Sequence, residues 1–147
     1  MTGAAGATLR PASPADAPGM GAILSDWIDG TPWMPRLHTR AADAAFCAGL
    51  VPCATVAEAG GEVAAFLARD GAEIGALHVA GAHRRRGLGS ALLAAAQGAA
   101  DRLALRTFAA NAPARAFYAA NGFAETGGTD GDNEEGLPDI RLDWSRP

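Results

Sequence analysis

Apolar residues recur along this chain at two spacings, and the switches between them mark its elements. Thr8-Leu9-Arg10 alternates like a short strand. Ser13-Pro14-Ala15-Asp16 then reads as a helix start, with Ser13 as N-cap and Pro14 in the first helical position. The spacing of Met20, Ile23, Leu24, Trp27 and Ile28 predicts a helix running to Asp29 and stopped by Gly30-Thr31-Pro32. Thr39 caps a second predicted helix that extends through about Leu50. Strand-like runs follow at Cys53–Ala59, Glu62–Ala68 and Glu73–Ala80, separated by the turn dipeptides Gly60-Gly61 and Asp70-Gly71. Leu88 to Leu103 is dense in Ala and Leu and predicts the strongest helix. Leu105–Ala109 reads as a buried strand and Ala112–Ala120 as a short helix closed by Asn121-Gly122. Phe123–Thr126 and Ile140–Trp144 predict a closing hairpin around an acidic, Gly-rich loop, Gly127 to Pro138. No repeat or linker divides the chain, so the pattern predicts one α/β domain over residues 1–147 with a mainly antiparallel sheet in its first half.

Composition narrows the class. A chain of 147 residues can bury one proper core. No apolar run approaches the ~20 residues of a membrane span. Met1 to Ala7 is small and uncharged, without a basic segment or an apolar signal core, which points to a cytoplasmic protein. Cys47 and Cys53 lack the spacing of a zinc site or redox pair, so a reducing compartment and no metal are expected. A net charge of −4 argues against general nucleic-acid binding.

Against that acidic balance, three arginines stand together in His83-Arg84-Arg85-Arg86-Gly87-Leu88-Gly89-Ser90. The run follows a strand and opens the Ala/Leu helix. Glycines permit a tight turn, and the first helical N–H groups have no intrahelical acceptor. Free amides, the positive helix end and the arginines all favour a phosphate-bearing ligand.

The segment Leu77 to Gly89 resembles the central signature of the GCN5-related N-acetyltransferases, in which a strand and short connector lead into Arg/Gln-x-x-Gly-x-Gly/Ala at a helix start. A second block, Asn111-Ala112-Pro113-Ala114-Arg115-Ala116-Phe117-Tyr118-Ala119-Ala120-Asn121-Gly122-Phe123, is similar to that family's later motif. Element order agrees across nearly the whole chain. The resemblance implies a mixed, mainly antiparallel sheet of about six or seven strands with about four flanking helices. It also implies strands that splay at an acyl-CoA site.

By that resemblance, the backbone amides of Arg85, Arg86, Gly87, Leu88, Gly89 and Ser90 would hold the cofactor diphosphate, with Arg84 at the family's Arg/Gln position. Backbone groups of Leu77 and Val79 would pair with the pantetheine arm, and the Val79 N–H would face the developing oxyanion. Asn111 would contact the cofactor, and the Tyr118 hydroxyl would meet the leaving thiolate. The attacking amine must be neutral although a free alkylamine has a pKa near ~10, so a base is expected. Glu73 is the first candidate and His78 the second. Trp27, Trp33, His38 and His78 are candidate acceptor contacts. Bulky Trp33, Met34 and Leu37 beside Arg36 and His38 also suggest a pocket for a substrate bearing a carboxylate. The implied reaction moves acetyl from acetyl-CoA to a primary amine of a small molecule by direct attack in a ternary complex. Alternatives are a protein Lys or N-terminal amine as acceptor, a non-catalytic acyl-CoA sensor, or an RNA-binding protein using the arginines. The resemblance leaves homodimerisation open.

Overall fold

Among the described residues, seven strands form one sheet in the order β1-β2-β3-β4-β5-β7-β6, antiparallel except where β4 meets β5. The structure is a computed structural model that describes residues 6–147; most of the N-terminal segment read for targeting lies outside them. The strands are β1 Thr8–Pro11, β2 Ala54–Ala59, β3 Glu62–Asp70, β4 Glu73–Val79, β5 Arg102–Phe108, β6 Ala124–Thr129 and β7 Asp139–Ser145. The helices are α1 Ala17–Asp29, α2 Arg40–Leu50, α3 Leu88–Ala99 and α4 Ala112–Ala120. Among the described residues this is the mixed, mainly antiparallel architecture with four helices that the family resemblance implies.

Alternation along the strands splits the core into two layers. Leu67 of β3 joins Leu88, Leu92 and Leu93 of α3 and Tyr118 of α4 on one face. Its neighbour Phe66 joins Met20 and Ile23 of α1 and Cys47 of α2 on the other.

Two helix boundaries differ from the sequence pattern by a turn or nearly so. The first helix was expected from Pro14, but Pro14–Asp16 is a single 3-10 turn and α1 begins at Ala17. Pro18 has no N–H to return to the carbonyl of residue 14, so the α-helical ladder starts after it. The expected helix to Leu103 ends at Ala99, and β5 begins at Arg102. Leu103 and Leu105 alternate into the core, with Leu103 opposite Trp144 and Leu105 opposite Leu142. Arg146 donates to the carbonyls of Gln97, Gly98 and Ala100, which closes the helix end. Strand pairing therefore overrides the helical propensity of the Ala/Leu run.

Helices α1 and α2 touch at Gly21. A Cβ there would lie 2.6 Å from the Ala44 Cα, which is backbone and cannot swing aside. Gly21→Ala should gain about 1 kcal/mol of helix propensity and lose more to overpacking. Chemical denaturation should show a net destabilisation of roughly 1–3 kcal/mol.

Arg10 anchors the turn before α1, with donors 2.8 and 2.9 Å from the two Asp16 carboxylate oxygens. Asp16 is nearly buried and also accepts the Ser13 N–H at 2.7 Å. The Arg10 hydrogen bond, ahead of the Ser13 contacts, holds the Asp16 carboxyl at about 2 despite burial. Because the folded value lies below the unfolded one, this stabilisation is complete above the ordinary Asp range near ~4. It is lost as pH falls through about 2. Asp16→Asn should therefore lower the urea midpoint at pH 7, and the gap from the parent should close toward pH 2.

Candidate active site

Strands β4 and β5 share one rung and then part. The pairing is Glu73 with Ala104, supported by the Ala104 N–H donating to the Ala72 carbonyl at 2.8 Å. Beyond it the strands diverge toward Val79 and Phe108. A register shift against β3 leaves Gly75 as the extra residue of a bulge, a device that bends a strand and increases its twist.

The alternation of antiparallel bonds settles which backbone groups face the gap. The Ala80 N–H donates to the Ala64 carbonyl at 2.8 Å. With His78 opposite Phe66 and Ala76 opposite Ala68, these residues direct N–H and C=O toward β3. Leu77 and Val79 consequently direct theirs to the side from which β5 has departed. An extended amide-bearing chain entering the gap could pair with them as an added strand does.

At the open end the chain turns through Gly81–His83 into the arginine run. Arg85 has φ +63°, rare for a residue with a side chain, and Gly87 has φ +75°. Left-handed residues spaced this closely curl successive amides toward a common centre, the geometry of an anion nest. The first intrahelical bond runs from the Ala91 N–H to the Gly87 carbonyl at 2.9 Å. Among the described residues, no backbone N–H from Arg85 to Ser90 has a protein acceptor. Leu88 is buried, so only its amide can serve a ligand, whereas Arg84, Arg85, Arg86 and Ser90 are exposed. Gly89 faces Phe117 and Val79, where a Cβ would sit 3.5 Å from the Phe117 ring. Unpaired amides, adjacent cations and an open strand edge fit a diphosphate joined to an extended amide chain.

These features border a cleft of about 1210 Å³ that runs between β4 and β5. Of the three Trp, one Tyr and five Phe residues, all but Trp144 and Phe123 line it. Asn111 lies on its α4 side and caps that helix, accepting the Ala114 N–H at 3.2 Å on Oδ1. This leaves the amide NH₂ for another partner. Tyr118 is buried between Phe117 and Phe123, and burial pushes its phenol well above the ordinary range. Its hydroxyl makes no hydrogen bond among the described residues and borders the cleft. Neither cysteine lines this space.

Other predicted residues divide. Trp27, Trp33, His38 and His78 line the cleft. His78 packs between Trp27 and Phe66, with ring centroids 5.4 and 5.7 Å away. Desolvation, followed by the nearby Arg84 charge, pushes its pKa down to about 4, so the ring is neutral at pH 7. His38 reaches Glu134 at 3.1 Å, joining the α1–α2 loop to the β6–β7 loop. Glu73 stands apart. It sits at the closed end of the strand pair, where it accepts from Arg141 at 3.3 Å, and it is outside the cleft lining. Six strand residues, about 20 Å, separate it from Val79. Arg36 is also engaged elsewhere: it donates to Asp29, Asp43 and the carbonyls of Ser25 and His38. It clamps the α1–α2 loop and cannot serve a carboxylate-bearing substrate.

Sequence reasoning missed Phe108, Arg106, Phe46 and Phe117 as cleft residues. Phe108 and Arg106 could have been found only by knowing that β5 lies beside β4. Phe117 was named within the second motif, yet nothing in the sequence placed its ring under Gly89.

Comparison with known proteins agrees with this geometry. No curated protein shows a significant sequence match. Among solved structures, YjaB from Escherichia coli in its apo form superposes with a TM-score of 0.79 at 21% identity, over 96% of this chain and 99% of that one. The ribosomal-protein-alanine N-acetyltransferase of Brucella melitensis gives 0.74 at 22%, over 94% and 99%. A provisionally assigned phosphinothricin N-acetyltransferase gives 0.75 at 25%, over 96% and 99%. The family model for acetyltransferases of the GNAT type matches residues 22–123, spanning both the glycine turn and Tyr118. With the parted strands, the nest of free amides and this match in hand, the chain belongs to the GNAT acetyltransferase family.

Proposed function

We propose that the protein is an acetyl-CoA-dependent N-acetyltransferase that acts on a primary amine of a small molecule by direct attack. The observation that carries this reading is the unpaired amide run from Arg85 to Ser90, beside the open backbone edge of Leu77 and Val79. Acetyl-CoA, when bound, supplies an activated acetyl group as a thioester. The amides and Arg84 to Arg86 hold its diphosphate, Leu77 and Val79 pair with its pantetheine amides, and the Asn111 NH₂ donates to the same arm. The Val79 N–H then faces the carbonyl oxygen, where negative charge grows during attack.

Tyr118 receives the departing sulfur. A thiol loses its proton near ~8.5, far more readily than a phenol pushed up by burial. The hydroxyl therefore acts by donating a hydrogen bond to the thiolate rather than by surrendering its proton outright. His78, with a pKa of about 4, is a weak base toward an alkylammonium, and Glu73 is tied to Arg141. We assign His78 to positioning the acceptor and proton removal to water in the open cleft.

The relatives named above act on different kinds of acceptor, so their names do not choose one. The His38–Glu134 contact favours a small molecule, because it joins the loops flanking the acceptor end and narrows the passage a folded protein segment would need. The purified protein should release free thiol from acetyl-CoA only when a suitable small amine is added. Tight acetyl-CoA binding without turnover across an amine panel would instead favour the sensor reading.

A further inference from the structure

The acceptor end of the cleft has an organisation that the family assignment does not supply. Its wall is a chain of rings: His78 against Trp27 at 5.4 Å, Trp27 edge-on to Trp33 at 6.0 Å, and Trp33 against Phe108 at 5.8 Å. The row starts beside Val79 on β4 and ends on β5, bridging both arms of the splayed pair. All four rings are half-buried and line the cleft.

The charges along the cleft are sorted. Arg84 and Arg85 lie at the glycine turn, while Asp26, Asp43, Glu134 and Glu135 lie with the acceptor-side elements. Three of those carboxylates have partners: Asp26 has Arg40, Asp43 has Arg36 and Ser25, and Glu134 has His38. Glu135 is half-buried, lines the cleft, and makes no hydrogen bond or ion pair among the described residues. Its carboxylate oxygens are solvent-accessible and free of protein partners, so a cation in the cleft can pair with them. On this side Arg36 is held in its clamp, and Arg106 lies 3.6 Å from Asp139.

We propose that the acceptor is a primary amine on a flat aromatic body that carries no negative charge, with Trp27, Trp33 and Phe108 receiving the rings and Glu135 the ammonium. This rests on the acetyltransferase reading and names its substrate class. The ring row supplies apolar area and edge-to-face contacts. Its tryptophans attract the ammonium form before deprotonation. Neutral His78 adds no repulsion. A carboxylate on the acceptor would meet the unpaired Glu135.

The test uses 2-phenylethylamine, butylamine and phenylalanine as acceptors, with acetyl-CoA binding measured separately by calorimetry. We expect kcat/KM for 2-phenylethylamine to exceed that for butylamine at least tenfold and that for phenylalanine about a hundredfold. Glu135→Gln should raise the KM for 2-phenylethylamine about tenfold and leave acetyl-CoA affinity unchanged. Tryptophan fluorescence should report 2-phenylethylamine binding without donor present, and Glu135→Gln should weaken it equally. Phenylalanine or a lysine peptide serving as well as 2-phenylethylamine would overturn the proposal while acetyl-CoA binding stood. A KM within twofold for Glu135→Gln would do the same. Absence of acetyl-CoA binding would bring down the acetyltransferase reading and this one with it.

Discussion

Gly89→Glu will bind acetyl-CoA too weakly to measure, while its unfolding midpoint stays near that of the parent chain. The residue has ordinary helical backbone angles, and a Cβ there meets Phe117 and Val79 at normal contact distance. The fold can therefore accept a side chain. The ligand site cannot, because the added carboxylate sits among the first amides of α3, where a diphosphate would be held. It reverses the favourable sign of the helix terminus and repels a polyanion a few ångströms away. At an intermediate effective dielectric, each close like-charge contact costs roughly 4 kcal/mol, enough for about a thousandfold loss. Gly89→Ala serves as the control. It adds only a methyl in van der Waals contact and should reduce affinity far less. Calorimetry on the three proteins checks both statements; equal affinity for Gly89→Glu would remove the glycine turn from the site.

Tyr118→Phe will lower kcat by about a hundredfold with acetyl-CoA affinity held within about twofold. The ring stays, so its packing with Phe117 and Phe123 is kept. The lost hydroxyl has no protein partner, and stability should change little. Its loss is felt only when sulfur becomes negative, the signature of an interaction made in the transition state. Burial raises the phenol, so it remains a donor beyond the ordinary Tyr range near ~10. The parent should consequently show no loss of kcat through pH 9 that Tyr118→Phe lacks. Steady-state rates over pH 6–9 provide the check, and equal turnover by the two proteins would strip Tyr118 of its role.

Much of the fold was legible because local chemistry and tertiary packing agree. Thr39 accepts the Ala42 N–H at 3.0 Å as an N-cap should, and the turns at Gly60-Gly61 and Gly71 use left-handed glycines. Where they disagree, packing prevails. Leu103 continues an Ala/Leu run, but pairing opposite Trp144 makes it strand. Pro18 carried a readable breaker signal that the strong Ser13-Pro14 start obscured.

The proposed donor end of the cleft is encoded by a contiguous motif for a related reason: its candidate ligand groups are consecutive backbone amides. The proposed acceptor end draws on side chains from α1, β4, β5 and two loops. Glu73 looked suitable as a base because it begins the right strand. Only the geometry shows that β4 and β5 are joined there and open at the other end. Glu135 looked like one more charge of an acidic loop, since no sequence pattern reveals which of that loop's carboxylates lines the cleft. Arg36 looked free because its partners, Asp29 and Asp43, lie on separate helices.

The most direct measurement is a crystal structure of the protein with acetyl-CoA. Both diphosphate phosphorus atoms should lie within hydrogen-bonding reach of the amides from Arg85 to Ser90, with the pantetheine chain running between β4 and β5. Phosphorus atoms bound at any other surface, or a pantetheine chain outside that gap, would contradict this placement.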